Sequence, residues 1–267
     1  AAGLDTTTDV VGGVTDDITG LWGTLTLAAD GGYTYVSDPD AISGAETDVF
    51  VYSIVDGDGD ISTTTLTINL TDSGLTATDD DVITVNEAAL DTTLDVGDLA
   101  VSSVTGSLPG LTTETGADTL TDNVSGGIGA LSYALVSGGN AVTAGSYGSI
   151  QVNADGSYSY TLTTNIDGAD ADDGANTEDN AESFVYEVTD ANGNTSQGTI
   201  YINVVDDVPT AVIDSGDVNE GATLTVLAGA GVLSNDTEGA DGASLQGVRA
   251  AGLDTTTDVV GGVTDDI

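Results

Sequence analysis

The chain has 267 residues, of which 45 are acidic and one, Arg249, is basic, so its formal net charge is −44. That balance excludes nucleic acid and anionic membrane as partners and points to cations. Cysteine, histidine and lysine are absent, which removes disulfides, zinc–thiolate sites, thiol catalysis and the usual proton shuttle.

Acidic chains of this kind are often disordered, but 39% of these residues are hydrophobic and many are β-branched, enough for packed cores. The length predicts roughly two domains of about 100–150 residues. No apolar run nears the ~18 residues needed to cross a bilayer, and no charged-then-apolar signal opens the chain, so a soluble segment is expected. A cysteine-free extracellular protein needs another means of bracing, and calcium takes the hard oxygen ligands this sequence holds in excess.

In chain order, the first feature is AAGLDTTTDVVGGVTDDI, Ala1 to Ile18, which recurs unchanged from Ala250 to Ile267 at an offset of 249 residues. Such a repeat predicts that the chain is cut from a tandem array of near-identical units. From Trp22 the run WGTLTLAADGGYTY alternates on either side of Asp30-Gly31-Gly32, which predicts a hairpin. A second hairpin is expected where FVYSIV (Phe50 to Val55) and TTTLTINL (Thr63 to Leu70) flank DGDGD.

The same order returns downstream. YGSIQVNADGSYSY (Tyr147 to Tyr160) matches the first hairpin at an offset of 125, and FVYEVTDANGNTSQGTIYINV (Phe184 to Val204) matches the second at 134. The nine-residue difference is an insertion, the acidic loop from Asn165 to Asn180. Helix signals are absent, and the expected fold is all-β: tandem antiparallel sandwiches of immunoglobulin-like or cadherin-like type, end to end.

Two junctions share the frame Asp72, Thr76, Ala77, Asp80 and Asp206, Thr210, Ala211, Asp214, and each leads into Val-Asn-Glu. Those triplets, Val85 to Glu87 and Val218 to Glu220, are expected on the first strand of the following domain. The boundaries are then a C-terminal portion of a split repeat (1–72), one complete repeat (77–206) and the N-terminal portion of the next copy (208–267). Residues 208–249 and 1–72 together make 114 residues, close to the ~100 of one sandwich. Complementation between chains is therefore expected: residues 208–267 of one molecule pair head to tail with 1–72 of another, displacing one copy of the 18-residue overlap.

The candidate chemistry is calcium binding. Asp56, Asp58 and Asp60 alternate with glycine, and their counterparts are Asp190, Asn192 and Asn194. Such a run can curl so that its oxygens converge on one ion, as at the start of an EF-hand loop, although the closing glutamate and the helices are missing. A polar turn that binds nothing is the alternative. In a seven-strand sandwich the last hairpin's turn lies at the entrance. Asp190, Asn192 and Asn194 are therefore expected beside Asp72, Asp79, Asp80, Asp81 and Glu87 as an interdomain calcium site. The matching set for the split repeat is Asp56, Asp58 and Asp60 with Asp206, Asp207, Asp214 and Glu220.

The insertion offers Asp167, Asp170, Asp172, Asp173 and Glu178, either for a further ion or as a solvated loop. Asp38-Pro39-Asp40 with Glu46 and Asp48, and Asp236 with Asp241, are read as surface charge. Trp22 and the nine tyrosines are read as core and cross-strand partners in preference to a sugar-binding face. With no histidine, cysteine or lysine nucleophile chemistry, no catalytic residues are assigned and an enzyme is not expected.

The motifs DGDGDIS, ADGGYTY and DANGNTSQGTIYINVVDD, in tandem, resemble the immunoglobulin-like extender repeats of giant repeats-in-toxin (RTX) adhesins of Gram-negative bacteria. The likeness covers nearly the whole chain, although the glycine-rich nonapeptide that names the family is absent. The resemblance implies type I secretion, an extracellular place on the cell surface with tethering at the outer membrane, and neighbouring repeats as partners. It implies a spacer that calcium stiffens to project a distal ligand-binding region for adhesion and biofilm formation. The alternative is a calcium-dependent module that itself binds carbohydrate or protein.

Overall fold

A computed structural model describes residues 6–90, 114–166, 177–240 and 242–250. The chain forms two compact units, one from Ala1–Thr78, Thr121–Ala134 and Tyr186–Gly198, the other from Asp79–Leu120, Leu135–Val185 and Thr199–Ile267. The division cuts across the second sequence repeat. Among the described residues the only helical elements are short 3-10 turns, as the alternating, β-branched sequence predicts.

In the first repeat, β1 (Asp17–Thr19), β2 (Gly23–Leu27) and β3 (Tyr33–Ser37) form a three-stranded antiparallel sheet. Its β2–β3 hairpin turns at the predicted Asp30-Gly31-Gly32, with Leu27 opposite Tyr33. The long strands β4 (Glu46–Val55) and β5 (Ile61–Leu70) pair from Glu46↔Leu70 to Val55↔Ile61 around the predicted Asp56–Asp60 turn. They form a two-stranded sheet of their own.

Further along come β6 (Thr76–Ala77), β7 (Asp80–Asn86), β8 (Glu114–Thr119), β9 (Val124–Ser125) and β10 (Ser132–Leu135). They are followed by β11 (Thr143–Ala144), β12 (Gly148–Val152), β13 (Ser157–Leu162), β14 (Thr177–Thr189) and β15 (Thr195–Val205). Two four-stranded sheets result, ordered β10-β14-β15-β7 and β11-β12-β13-β8, and they give the second repeat its sandwich. The pairing of β7 is parallel: Ile202 lies opposite Ile83, Asn203 opposite Thr84 and Val204 opposite Val85 on β15.

The repeats differ in how much they bury. In the second, Ile83, Val85, Ile150, Tyr160, Ile200 and Ile202 are all buried, and each such apolar side chain contributes about 1.5–3 kcal/mol. In the first, Leu25 and Leu70 are the buried apolar side chains among residues 6–78, while Ile54, Val55 and Ile61 remain 64%, 66% and 47% exposed. Alternation in β4 and β5 has made strands without closing a core over them.

The expectation for the two Val-Asn-Glu triplets divides. Val85 and Asn86 lie on β7, but Glu87 falls just past it, at the start of a 3-10 turn, Glu87–Ala89. Val218, Asn219 and Glu220 lie in no strand; nearby, the Val212 N–H donates to Asp236 Oδ1 at 2.7 Å and Asn219 O accepts from Ala222 N at 2.9 Å.

Candidate metal site and the buried carboxylates

The β4–β5 turn closes with a bond from Asp56 N to Asp60 O at 3.1 Å. Asp56 organises the loop: its Oδ1 accepts from the peptide N–H of Asp58, Gly59 and Asp60 at 3.2, 2.9 and 2.9 Å. Gly59, at φ +100°, supplies the left-handed step that lets the chain fold around that oxygen. One carboxylate oxygen from each of Asp56, Asp58 and Asp60 lies within 4.8 Å of the others, and all three side chains are exposed. The Asp58 side chain, then the Asp60 N–H, hold the Asp56 carboxyl below the usual carboxylate range.

These three residues fit a calcium ion. Their hard oxygens, within 4.8 Å of one another, are close to the spacing of oxygens that share an ion taking ligands at roughly 2.3–2.6 Å. Exposure leaves its remaining positions to water. Among the described residues this is the group of three carboxylates so gathered, and it includes none of Asp206, Asp207, Asp214 and Glu220. Of those four, Asp214 and Glu220 are exposed and Asp206 and Asp207 half-buried.

The second repeat uses the same turn differently. Asp190 N bonds Asn194 O at 2.9 Å, and Gly193 takes φ +89°. Asp190 Oδ1 accepts from Asn192 N and Asn194 N at 2.9 and 3.0 Å. Its Oδ2 accepts from Ile128 N at 3.0 Å and Asn194 Nδ2 at 2.9 Å. Burial pushes this carboxyl up, but the Asn194 side chain and the peptide donors of Ile128, Asn192 and Asn194 outweigh it and leave it lowered. Four N–H donors match the four lone-pair sites of a carboxylate. Asp190 thus anchors its own turn through both carboxylate oxygens.

Other residues of the predicted set have partners of their own. Asp79 Oδ1 accepts from Thr199 N at 2.8 Å, and Asp81 Oδ1 from Asn203 Nδ2 at 2.7 Å. Asp80, between them, is buried and accepts from Val82 N at 3.2 Å. Asp80 and Asp81, consecutive on β7, point to opposite faces of it. Glu87 is fully buried, its Oε2 accepting from Ile166 N at 2.8 Å and its Oε1 from Asp207 N at 3.1 Å. Asp72 is exposed and lines a cleft of 490 Å³ together with Asp38, Asn192 and Asn194. In the insertion, Asp167, Asp170, Asp172 and Asp173 lie outside the described residues, as does Asp241; Glu178 is on β14.

Two acidic residues read as surface charge have structural partners. Asp40, at φ +54°, has a carboxylate that accepts from Thr195 N at 2.9 and 3.0 Å and from Thr195 Oγ1 at 2.7 Å. Asp40 N in turn donates to Asn194 Oδ1 at 3.1 Å. Asp48 is 2% exposed, accepting from Leu21 N, Trp22 N and the Tyr35 hydroxyl at 2.8, 3.1 and 2.6 Å. Burial pushes Asp48 up; the Tyr35 hydroxyl and the two peptide donors more than offset it and hold the carboxyl low.

The second repeat contains the same cluster. Glu182, at the position matching Asp48, accepts from Ser146 N, from Tyr147 N at 2.9 Å and from the Tyr160 hydroxyl at 2.6 Å. Phe50 stands beside Tyr35 with ring centres 6.1 Å apart, and Phe184 beside Tyr160 at 6.2 Å. Gly20 and Gly145 complete the pair, since a Cβ at either would strike the carboxylate. A signal for this was present in the sequence: an acid two residues before Phe at both positions, in register with a tyrosine of the preceding hairpin.

No family model and no curated protein matches the chain. Among solved structures, the crystal structure of the protocadherin GammaB4 extracellular domain aligns with 74% of this chain at 14% identity and a TM-score of 0.20. The chain spans 28% of that protein's length. Among the described residues, no helix is long and apolar enough to cross a membrane.

Proposed function

We propose that this chain is a structural spacer: a run of tandem β-sandwich repeats from an extracellular RTX-type adhesin, stiffened by calcium to hold a distal ligand-binding region away from the cell. The observation that carries the reading is the duplication of one folded plan, with Tyr35, Phe50 and Asp48 arranged like Tyr160, Phe184 and Glu182. A sequence that repeats a scaffold, and repeats 18 residues unchanged, suits an array whose product is length.

Calcium in this proposal sits on Asp56, Asp58 and Asp60, where it neutralises clustered charge and braces the hairpin turn. Extracellular modules bind the ion at about 10⁻⁴–10⁻³ M, so the site fills outside the cell and empties in the cytosol. The buried acids are occupied by N–H and phenolic donors, which favours a positional role for them over acid–base catalysis.

The test is thermal unfolding with and without millimolar calcium, with small-angle scattering on the same samples. A higher melting temperature and a longer maximum dimension in calcium support the spacer. Identical profiles in calcium and chelator overturn it, and specific binding on a glycan array would move the assignment to a ligand-binding module.

A further inference from the structure

We propose that the first repeat is an acceptor for a strand donated by a second copy of this chain, with residues 212–220 of the donor adding to the outer edge of β5. The inference is independent of calcium. Between the β1–β3 sheet and the β4–β5 hairpin lies an apolar cleft of 690 Å³, lined by Val14, Ile18, Leu27, Phe50, Ile54 and Leu66 among others. Val14, Ile18 and Ile54 are exposed and the other three half-buried, and contiguous apolar surface of this kind marks an interaction site. Beyond β4, β5 has no further strand beside it among the described residues. An open edge next to an open apolar face is the geometry of strand addition.

The second repeat identifies the occupant. There, β15 matches β5 at an offset of 134, and its outer edge is covered by β7, which buries Ile83 and Val85. Aligning Val-Asn-Glu with Val-Asn-Glu makes residues 213–219 the counterpart of β7. That segment has no strand pairing, and its Val212, Ile213 and Val218 are 48%, 95% and 57% exposed.

Glu220 supplies a polar check on the register. Its counterpart Glu87 accepts from Ile166 N and Asp207 N. The motif Ile-x-Gly-Ala aligns Ile166 with Ile42, and the junction frame aligns Asp207 with Ser73. Both Ile42 and Ser73 line the 490 Å³ cleft at the end of β5. A donated strand would thus fill the apolar cleft with its side chains and seat Glu220 in the polar one. Because donor and acceptor are different surfaces, addition repeats head to tail and builds open chains.

The chain has no cysteine, which makes the test clean. Asn203 pairs with Thr84 in the second repeat, so Asn69 of the acceptor should pair with Asp217 of the donor. Oxidation of the Asn69→Cys/Asp217→Cys protein should give a reducible ladder of dimers, trimers and higher forms. The out-of-register control, Ser62→Cys/Asp217→Cys, should not. Wild-type protein should gain mass with concentration in sedimentation, and Val218→Asp, a change at an exposed position, should return it to monomer. Concentration-independent monomers, equal ladders from both cysteine pairs, or a crosslink closed within one molecule would each overturn the proposal.

Discussion

The Tyr160 hydroxyl donates to Oε2 of Glu182 at 2.6 Å, and Tyr35 makes the same bond, at the same length, to Asp48. In each repeat the carboxylate also takes two successive peptide N–H groups from the loop before the first hairpin. The acid, standing on a long strand, ties that loop and the hairpin's phenol to it directly.

Tyr160→Phe removes one charge-assisted bond and should cost about 1.5–3 kcal/mol. Glu182→Ala strands two peptide donors and a phenol in a buried site and should cost more, about 3 kcal/mol or above. Urea unfolding of both single variants and the double variant checks the pair, since the two losses should fall short of adding.

The acid limb of stability should carry the signature of Asp190. Its folded pKa is lowered, so its contribution is fully present above the unfolded value, about 3.9, and is lost as pH falls through the folded value. The stability gap between wild type and Asp190→Asn should hold from pH 7 to 5 and narrow below about pH 4. A gap that widens on acidification would contradict the hydrogen-bond assignment.

The alkaline limb has the opposite sign. Burial first, then the carboxylate partner, push the phenols of Tyr35 and Tyr160 well above their ordinary value. Their contribution is fully present below about pH 10, the unfolded value, and is lost as pH rises toward the folded one. The melting temperature of wild type should fall more steeply above pH 10 than that of Tyr160→Phe.

Calcium affinity should follow the first turn and not the second. Asp58→Asn keeps the turn, whose bonds run through Asp56, and should weaken binding about tenfold by titration calorimetry. Asp190→Asn should leave it unchanged, because its carboxylate already holds four N–H donors.

Asp40→Ala should speed hydrogen exchange at the Thr195 amide, which donates to its carboxylate, and cost about 1–2 kcal/mol from lost bonds and a left-handed backbone. Asp40→Asn, with an oxygen in the same place and a better tolerance of that backbone, should do less.

The hairpins were legible because each rests on local grammar. Asp30-Gly31-Gly32 and Asp56–Asp60 mark their turns, alternation marks the strands, and the register follows. The carboxylate partners were not legible, because they are set by distance in the chain and not by spacing. Glu87 finds its donors 79 and 120 residues away, and Asp40 meets Thr195 across 155. A carboxylate reads the same in sequence whether it faces a cation or a peptide N–H; which one it meets depends on the packing of the strands. The Asp190 turn shows the difference, since it shares its pattern with Asp56 but has Ile128 N against it.

A protein with one basic residue can have almost no attraction between opposite charges for dissolved ions to weaken. Its inner acids are gripped by amides and phenols, whose bonds short range protects from ionic strength. What sodium chloride does reach is the mutual repulsion of the outer carboxylates, damped beyond about 8 Å at 0.15 M. Brine therefore acts on this fold as a brace, and fresh water as a solvent that pulls it apart.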